Sequence, residues 1–474
     1  MSRADDGAGA DSGAETGAGA DEWQALRLAN APDPGALQWE RAALRSLAAR
    51  PFGARMRGYL RMLGPGYLQS AMTLGGGTVS SALFAGAIFG VDLLWVAPVG
   101  MALGLVMLTA IAWQTLSTGV RPWPAMRDHA GPFFAWAWAI GALLSSIIWQ
   151  FAQYALASAV LVDMADVAGF PDVPPLSAGL FVLVWALFVS SLYGRSPGAV
   201  RAYEHLLRVM VWGIVLCFAW VVVRTGLPEP AALLGGFFPT SIPETRNGIA
   251  AATLVLSGLS AAVGVNMVFL YPYTLLAKGW GRDHRELAIV DLVVGMFVPY
   301  AIAVSLVVIA TANTLHLDPS YDGIRLSPVE AAQVLAQSIG PVTGRLVFGL
   351  GVLGMAMSSI TLQMLTCGFV AVELAGVTVG SRAHRFATWL PVPGVLGCVY
   401  WSDIAVWVAV PTNIVCGLFL PATYLGFCLL QRSRAYLGDD RPGGPLGRLW
   451  LAAMFGVTAF LTGFLISYVR GVLA

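Results

Sequence analysis

The chain has 474 residues, 57% hydrophobic and only 11% charged, with a mean hydropathy of +0.72. Soluble domains carry about 25% charged residues, so the composition excludes a water-soluble globular protein and indicates a polytopic membrane protein. The formal net charge of +1 gives no footing for nucleic acid, and Cys217, Cys367, Cys398, Cys416 and Cys428 sit in apolar runs without metal-ligand spacing, so neither a disulfide framework nor a zinc site is indicated.

Residues 1 to about 20 are rich in Gly, Ala, Asp and Glu and cannot bury enough apolar surface to fold. They lack the charged-then-apolar pattern of a signal peptide. From Leu37 to Arg50, Leu37, Leu44 and Leu47 fall near one helical face, and Arg50, Arg55, Arg57 and Arg61 lead into the first span. This pattern fits an interfacial amphipathic helix or a solvated arm that fixes topology.

Eleven apolar runs of about 20 or more residues, the length a bilayer requires, follow: 63–89, 92–117, 132–163, 175–194, 203–226, 247–277, 286–312, 340–376, 385–402, 405–431 and 448–470. The first run holds three consecutive glycines, Gly75 to Gly77, flanked by Thr73, Thr78, Ser80 and Ser81. Glycine costs a helix about 1 kcal/mol against alanine, and opened backbone at membrane depth is tolerated only where protein or a watery cavity covers it. The run reads as a broken helix at a transporter's binding site, or as a Gly-rich helix packed closely on a neighbour.

Connections after even-numbered runs are cationic: Arg121 and Arg127; Arg195 and Arg201; Lys278, Arg282 and Arg285; Arg382 and Arg385; Arg432, Arg434 and Arg441. Those after odd-numbered runs are poorer in cations and richer in acids: Asp166 and Asp172; Glu229 and Glu244; Asp318, Asp322 and Glu330; Asp403. The cationic set belongs inside, with the N-terminus cytoplasmic and the C-terminus outside. Two sets of five spans then have opposite orientations, as in inverted-repeat transporters, and the sixth span should break like the first. It places Gly264, Asn266 and Pro272 within an apolar run. Asn266 is costly at mid-membrane without partners, and two interrupted spans at corresponding positions point to a substrate site.

Several motifs carry a family likeness. Gly64-Pro-Gly-Tyr-Leu through Gly90-Val-Asp-Leu-Leu-Trp-Val96, Arg201-Ala-Tyr-Glu204, Gly264 to Tyr273 with a basic loop and Asp291, Met355 to Thr361 with Ser358-Ser359, and Phe419-Leu-Pro421 follow one family frame. From about Arg61 to Arg441 the chain thus resembles the Nramp family of divalent-metal transporters. The resemblance implies an all-α polytopic protein of about eleven transmembrane helices, a 5+5 inverted repeat of the LeuT/APC type with the first and sixth helices broken. The expected organisation is a cytoplasmic N-terminal arm (1–60), repeats over 61–230 and 231–435, and a loop and eleventh span over 436–474.

The departures concern the site. The family's Asp-Pro-Gly-Asn falls on Gly75-Gly76-Gly77-Thr78 and its Met-Pro-His element on Asn266-Met-Val-Phe269, while its third-span carboxylates find no counterpart, Gln150 and Gln153 lying in that region instead. The expected substrate site comprises Gly75, Gly77, Thr78, Gly264, Asn266 and Met267, with Thr78, Asn266 and Met267 as candidate metal ligands. Thr73, Gln150, Gln153 and Asn413 are candidate pathway residues. Glu204, His205 and Asp291 read as caps or loop anchors, and Tyr271 and Tyr273 as packing residues. The sequence is read as a secondary-active transporter in an inner membrane, moving an inorganic cation, or alternatively a small organic solute, through an uncharged site, with weak dependence on a proton gradient. No cofactor is expected, and the clustered acid, base or nucleophile of a membrane enzyme is missing. The oligomeric state is not readable.

Overall fold

The structure is a computed structural model that describes residues 26–238, 242–246, 248–318, 330–331, 333–334, 340–401 and 404–473. The N-terminal segment 1–20 and the acidic loop residues Asp322 and Asp403 lie outside the described residues. Among the described residues the regular structure is helical, apart from isolated bridges between Leu28 and Val379 and between Arg246 and Ile249.

Among the described residues, eight helical segments are long and apolar enough to span a membrane, and the pair Pro65–Thr73 (helix 1a) and Gly76–Phe89 (helix 1b), bent by 53°, makes a ninth such span. The fourth apolar run forms a shorter helix, Pro175–Ser190. The ninth, expected over 385–402, is no continuous helix. It passes through Arg382–Ala387, a 3-10 turn at Val392–Leu396 and Gly397–Tyr400. Pro391 and Pro393 interrupt the ladder there, and Gly394 and Gly397 lie against the Gln150 and Phe151 backbone of the third span so closely that a Cβ would overlap it.

The sixth run breaks as expected, into Ala251–Ala262 (helix 6a) and Val265–Ala277 (helix 6b), with Val263 and Gly264 extended between them. The third and eighth spans, Pro132–Val167 and Pro341–Ala375, are long helices packed on each other. At about 1.5 Å per residue both exceed the bilayer core, so they tilt or project from it.

The two sets of connections gather at opposite ends. At one end the arm reaches several of them: Asn30 donates to the Gly194 carbonyl at 3.0 Å, Leu28 bridges Val379, and Arg45 pairs with Asp283 at 3.0 Å. Arg285 joins Asp440 at 3.1 Å. At the other end Asn313 donates to the Gly226 carbonyl, His316 meets the Ala87 carbonyl, and Arg345 pairs with Asp163 and Asp166. Helix Pro34–Ala48 buries Leu44 and Leu47, and Leu47 lies over Gly58. The described part of the arm, from residue 26 on, is therefore docked on the protein's own loops.

Candidate substrate site

The first span breaks because its backbone is squeezed as well as glycine-rich. A Cβ on Gly77 would overlap the Trp149 ring and Asn413 Oδ1, and one on Gly75 would stand 2.7 Å from Ser359 Oγ and 2.8 Å from Gln153 Nε2. Helix 1a ends at Thr73, Gly75 is extended (φ −113°, ψ 178°), and helix 1b starts at Gly76.

A helix end leaves carbonyls without intrahelical donors, and in a membrane these need protein partners. Hydroxyls supply them. Ser358 donates to the Ala71 carbonyl at 2.9 Å, Ser359 to Met72 at 3.1 Å, and Thr78 to Thr73 at 2.5 Å. Thr73 in turn donates to the Ala262 carbonyl at the end of helix 6a, at 2.6 Å. The two breaks are thus stitched to each other and to the eighth span. At the start of helix 1b the Gly76 N–H donates to Gln153 Oε1 at 2.8 Å, and Gln153 Nε2 donates to Ser359 Oγ at 3.1 Å. At the start of helix 6b Asn266 Oδ1 accepts the Met267 N–H at 3.0 Å.

Between the breaks lies a small cavity lined by Met72, Thr73, Gly75, Thr78, Trp149, Gln153, Ser260, Ala261, Gly264, Asn266, Met267, Ser359 and Gln363. It has room for about one or two water-sized groups. Of the expected residues, Thr73, Gly75, Thr78, Gln153, Gly264, Asn266 and Met267 meet there. Gly77 backs onto Trp149, and its carbonyl accepts from Asn413 Nδ2 at 3.1 Å. Asn413 belongs to an adjoining cluster with Ser81 (3.0 Å) and Ser257 (2.8 Å) and is not among the cavity-lining residues. Gln150 also stays outside, donating to the Ile360 carbonyl at 3.0 Å. Met72, Trp149, Ser260, Ala261 and Gln363 were not singled out by the sequence. Trp149 and Gln363 each lie four residues, about one helical turn, from Gln153 and Ser359, and that spacing is the signal that could have found them.

The lining contains no carboxylate, and among the described residues no group of three or more His, Cys, Asp or Glu could hold a metal ion. The site offers amide, hydroxyl and backbone oxygens and the Met267 thioether. Oxygen ligands suit hard cations, and sulfur suits softer ones.

Toward the end that carries the arm, the first span is tied to its neighbours. Asp291 accepts the Gly64 and Gly66 N–H groups at 2.9 and 2.6 Å. Lys278 pairs with Glu204 at 3.0 Å, and Arg208 donates to the Leu63 carbonyl at 2.6 Å while lying over the Tyr67 ring. Tyr271 and Tyr273 are buried, Tyr273 stacked on Phe269.

A family model described as natural resistance-associated macrophage protein-like matches residues 66–467. The chain is 22% identical over 367 residues to the divalent metal cation transporter MntH of Chromohalobacter salexigens, covering 75% of this chain and 80% of that one. It is 25% identical over 286 residues to the metal transporter Nramp6.2 of Populus trichocarpa, covering 58% of this chain and 48%, about half, of that longer protein. The fold matches a crystal structure of the Eremococcus coleocola manganese transporter bound to an aromatic bis-isothiourea compound. The TM-score there is 0.64 at 13% identity, over 94% of this chain and 98% of that one. It also matches MhsT in complex with L-phenylalanine, at a TM-score of 0.56 and 14% identity over 85% of this chain and 97% of that one.

Proposed function

The chain belongs to the Nramp, natural resistance-associated macrophage protein-like, family, and from that premise we propose that it is a secondary-active transporter of a divalent metal cation. The observation that carries this reading is the pair of broken spans whose ends meet around one polar cavity. The metal-transporting relatives support the cargo class, since a fold alone does not assign function.

The candidate site residues are Thr73, Gly75, Thr78, Gln153, Gly264, Asn266 and Met267, with Gly77 and Asn413 behind them. A dication in a site without an anionic ligand keeps part of its water, as hard cations that dehydrate reluctantly do. The small cavity leaves little room for that water, so it must widen during the cycle, and alternating access provides the widening. Transport is weakly dependent on a proton gradient, because the third-span carboxylates that the family resemblance leads one to expect have no counterpart, and Gln150 and Gln153 lie in that region instead. The end carrying the arm and the cationic connections is cytoplasmic.

The deciding experiment is uptake by proteoliposomes containing the full chain. Saturable entry of manganese or magnesium, with no entry of small organic acids, is the expected result. Uptake of an organic solute without any metal dependence would replace the cargo and leave the fold untouched.

A further inference from the structure

Resting on that reading, we propose that Gln363 is a selectivity residue: its side-chain oxygen is a direct ligand of the transported cation and biases the site toward oxygen-preferring metals. Gln363 lies in the eighth span, is 3% exposed and lines the cavity between the two breaks. Among the cavity-lining side chains, its Oε1 is the buried oxygen with no hydrogen-bond partner. Buried polar atoms are nearly always paired, and an exception calls for an explanation.

The orientation of that oxygen follows from a chain of hydrogen bonds that begins in the backbone. The Gly76 N–H can only donate, so the Gln153 atom 2.8 Å from it is the oxygen and the NH₂ of Gln153 faces Ser359. The Ser359 hydroxyl has one hydrogen, and the Met72 carbonyl, an acceptor only, takes it at 3.1 Å. Ser359 Oγ can then only accept from Gln363, whose NH₂ stands 3.1 Å away. Turning the Gln363 amide around would set two oxygens face to face with no proton between them. The break in the first span thus fixes, through three side chains, which end of Gln363 is left without a partner, and it leaves an acceptor.

Gln150 Oε1 and Asn413 Oδ1 are also unpartnered. Neither residue lines the cavity, so neither is positioned to bind the solute. An unpaired acceptor beside a small cavity matches a cation or its bound water, and a carbonyl-type oxygen suits a hard ion. Met267 on the sixth span supplies the soft donor, so removing the Gln363 oxygen leaves a site weighted toward sulfur.

The test compares the full chain with Gln363→Leu, Gln363→Glu and Ser359→Ala, read as metal-dependent thermal stabilisation with magnesium, manganese and cadmium, and as proteoliposome uptake. Losing one ligand oxygen is worth about tenfold in affinity. Gln363→Leu should weaken magnesium and manganese by about that factor and cadmium less, so the preference moves toward cadmium. Gln363→Glu, nearly isosteric, should strengthen all three and decides the matter if the leucine variant does not fold. Ser359→Ala should lower magnesium and manganese affinity less than Gln363→Leu does, because the oxygen remains but is no longer held. If the parent responds to metal while both Gln363 variants keep its affinities and its metal preference, the ligand assignment is overturned and the transporter reading stands. If the parent itself responds to none of the metals, the cation reading falls and this proposal with it.

Discussion

Asp291 of the seventh span caps the first span at Gly66: its Oδ2 accepts the Gly66 N–H at 2.6 Å, and Oδ1 accepts the Gly64 N–H at 2.9 Å. Helix 1a begins at Pro65, so a carboxylate sits where the helix dipole is positive and N–H groups lack partners. Gly66 is obligatory here, because a Cβ would overlap the Asp291 carbonyl. The sequence expectation of a cap rather than a proton carrier fits this geometry.

Asp291→Ala therefore unpins the lower half of the first span. The two charge-assisted bonds together are worth about 3–6 kcal/mol, and the variant should melt at a lower temperature in detergent. A cysteine at Met72 should also become more reactive toward a small thiol reagent added from the arm side. Unchanged reactivity would mean that helix 1a is held closed by something other than this cap.

A second tie crosses the same end. Arg121, after the second span, pairs at 2.9 Å with Glu373 near the end of the eighth, and the side chains are 16% and 1% exposed. Removing one partner of a buried pair strands the other charge and costs about 3–5 kcal/mol. Arg121→Ala should be strongly destabilising. Glu373→Gln, which leaves the more exposed charge behind, should cost clearly less. Thermal unfolding of both variants checks the order, and equal losses would show that the stranded carboxylate is not the dominant cost.

Gly77 gives a prediction with a built-in rescue. A methyl at this position meets the Trp149 ring, and overpacking of a tight site costs about 1–3 kcal/mol. Gly77→Ala should lower thermal stability and abolish transport. Adding Trp149→Leu should recover part of the stability, while transport need not return, because Trp149 lines the cavity. A double variant no more stable than Gly77→Ala alone would refute the steric account.

What the sequence made legible follows from what each signal depends on. The spans and the two breaks are local properties of composition, so Gly75 to Gly77 and Gly264 to Asn266 announce themselves. The ninth run does not, because its average hydrophobicity resembles a helix while its prolines forbid one. The two third-span glutamines show another limit. Gln150 and Gln153 are both buried and nearly on one face, yet one meets the Ile360 carbonyl and the other the Gly76 N–H. Only the position of the neighbouring helices separates them. Gln363 was invisible for the same reason: a glutamine in a membrane helix reads as interhelical glue until its partners are known.

The last prediction tests whether the missing anion is what distinguishes this site. Gly75 stands where the family resemblance places an aspartate, and its Cβ direction points at Ser359 Oγ and Gln153 Nε2, 2.7 and 2.8 Å from the ideal position. The Gln153 NH₂ has a second hydrogen to donate to a carboxylate there, whereas Ser359 would donate only by giving up the Met72 carbonyl, and both side chains would have to move aside. The carboxylate would also compete with Ser359 Oγ for the Gln153 NH₂. Pairing it with Thr78→Asn would confuse the result, since Thr78 donates to the Thr73 carbonyl at 2.5 Å, so the single variant Gly75→Asp is the cleaner probe. Without metal it should be less stable than the parent, because an ionised group is being buried without a counter-charge. With manganese or magnesium the order should reverse, since the ion supplies that charge. The measurement is melting temperature against metal concentration for parent and variant. A variant that manganese and magnesium stabilise no more than the parent would show that the cavity is not a cation site lacking its anion.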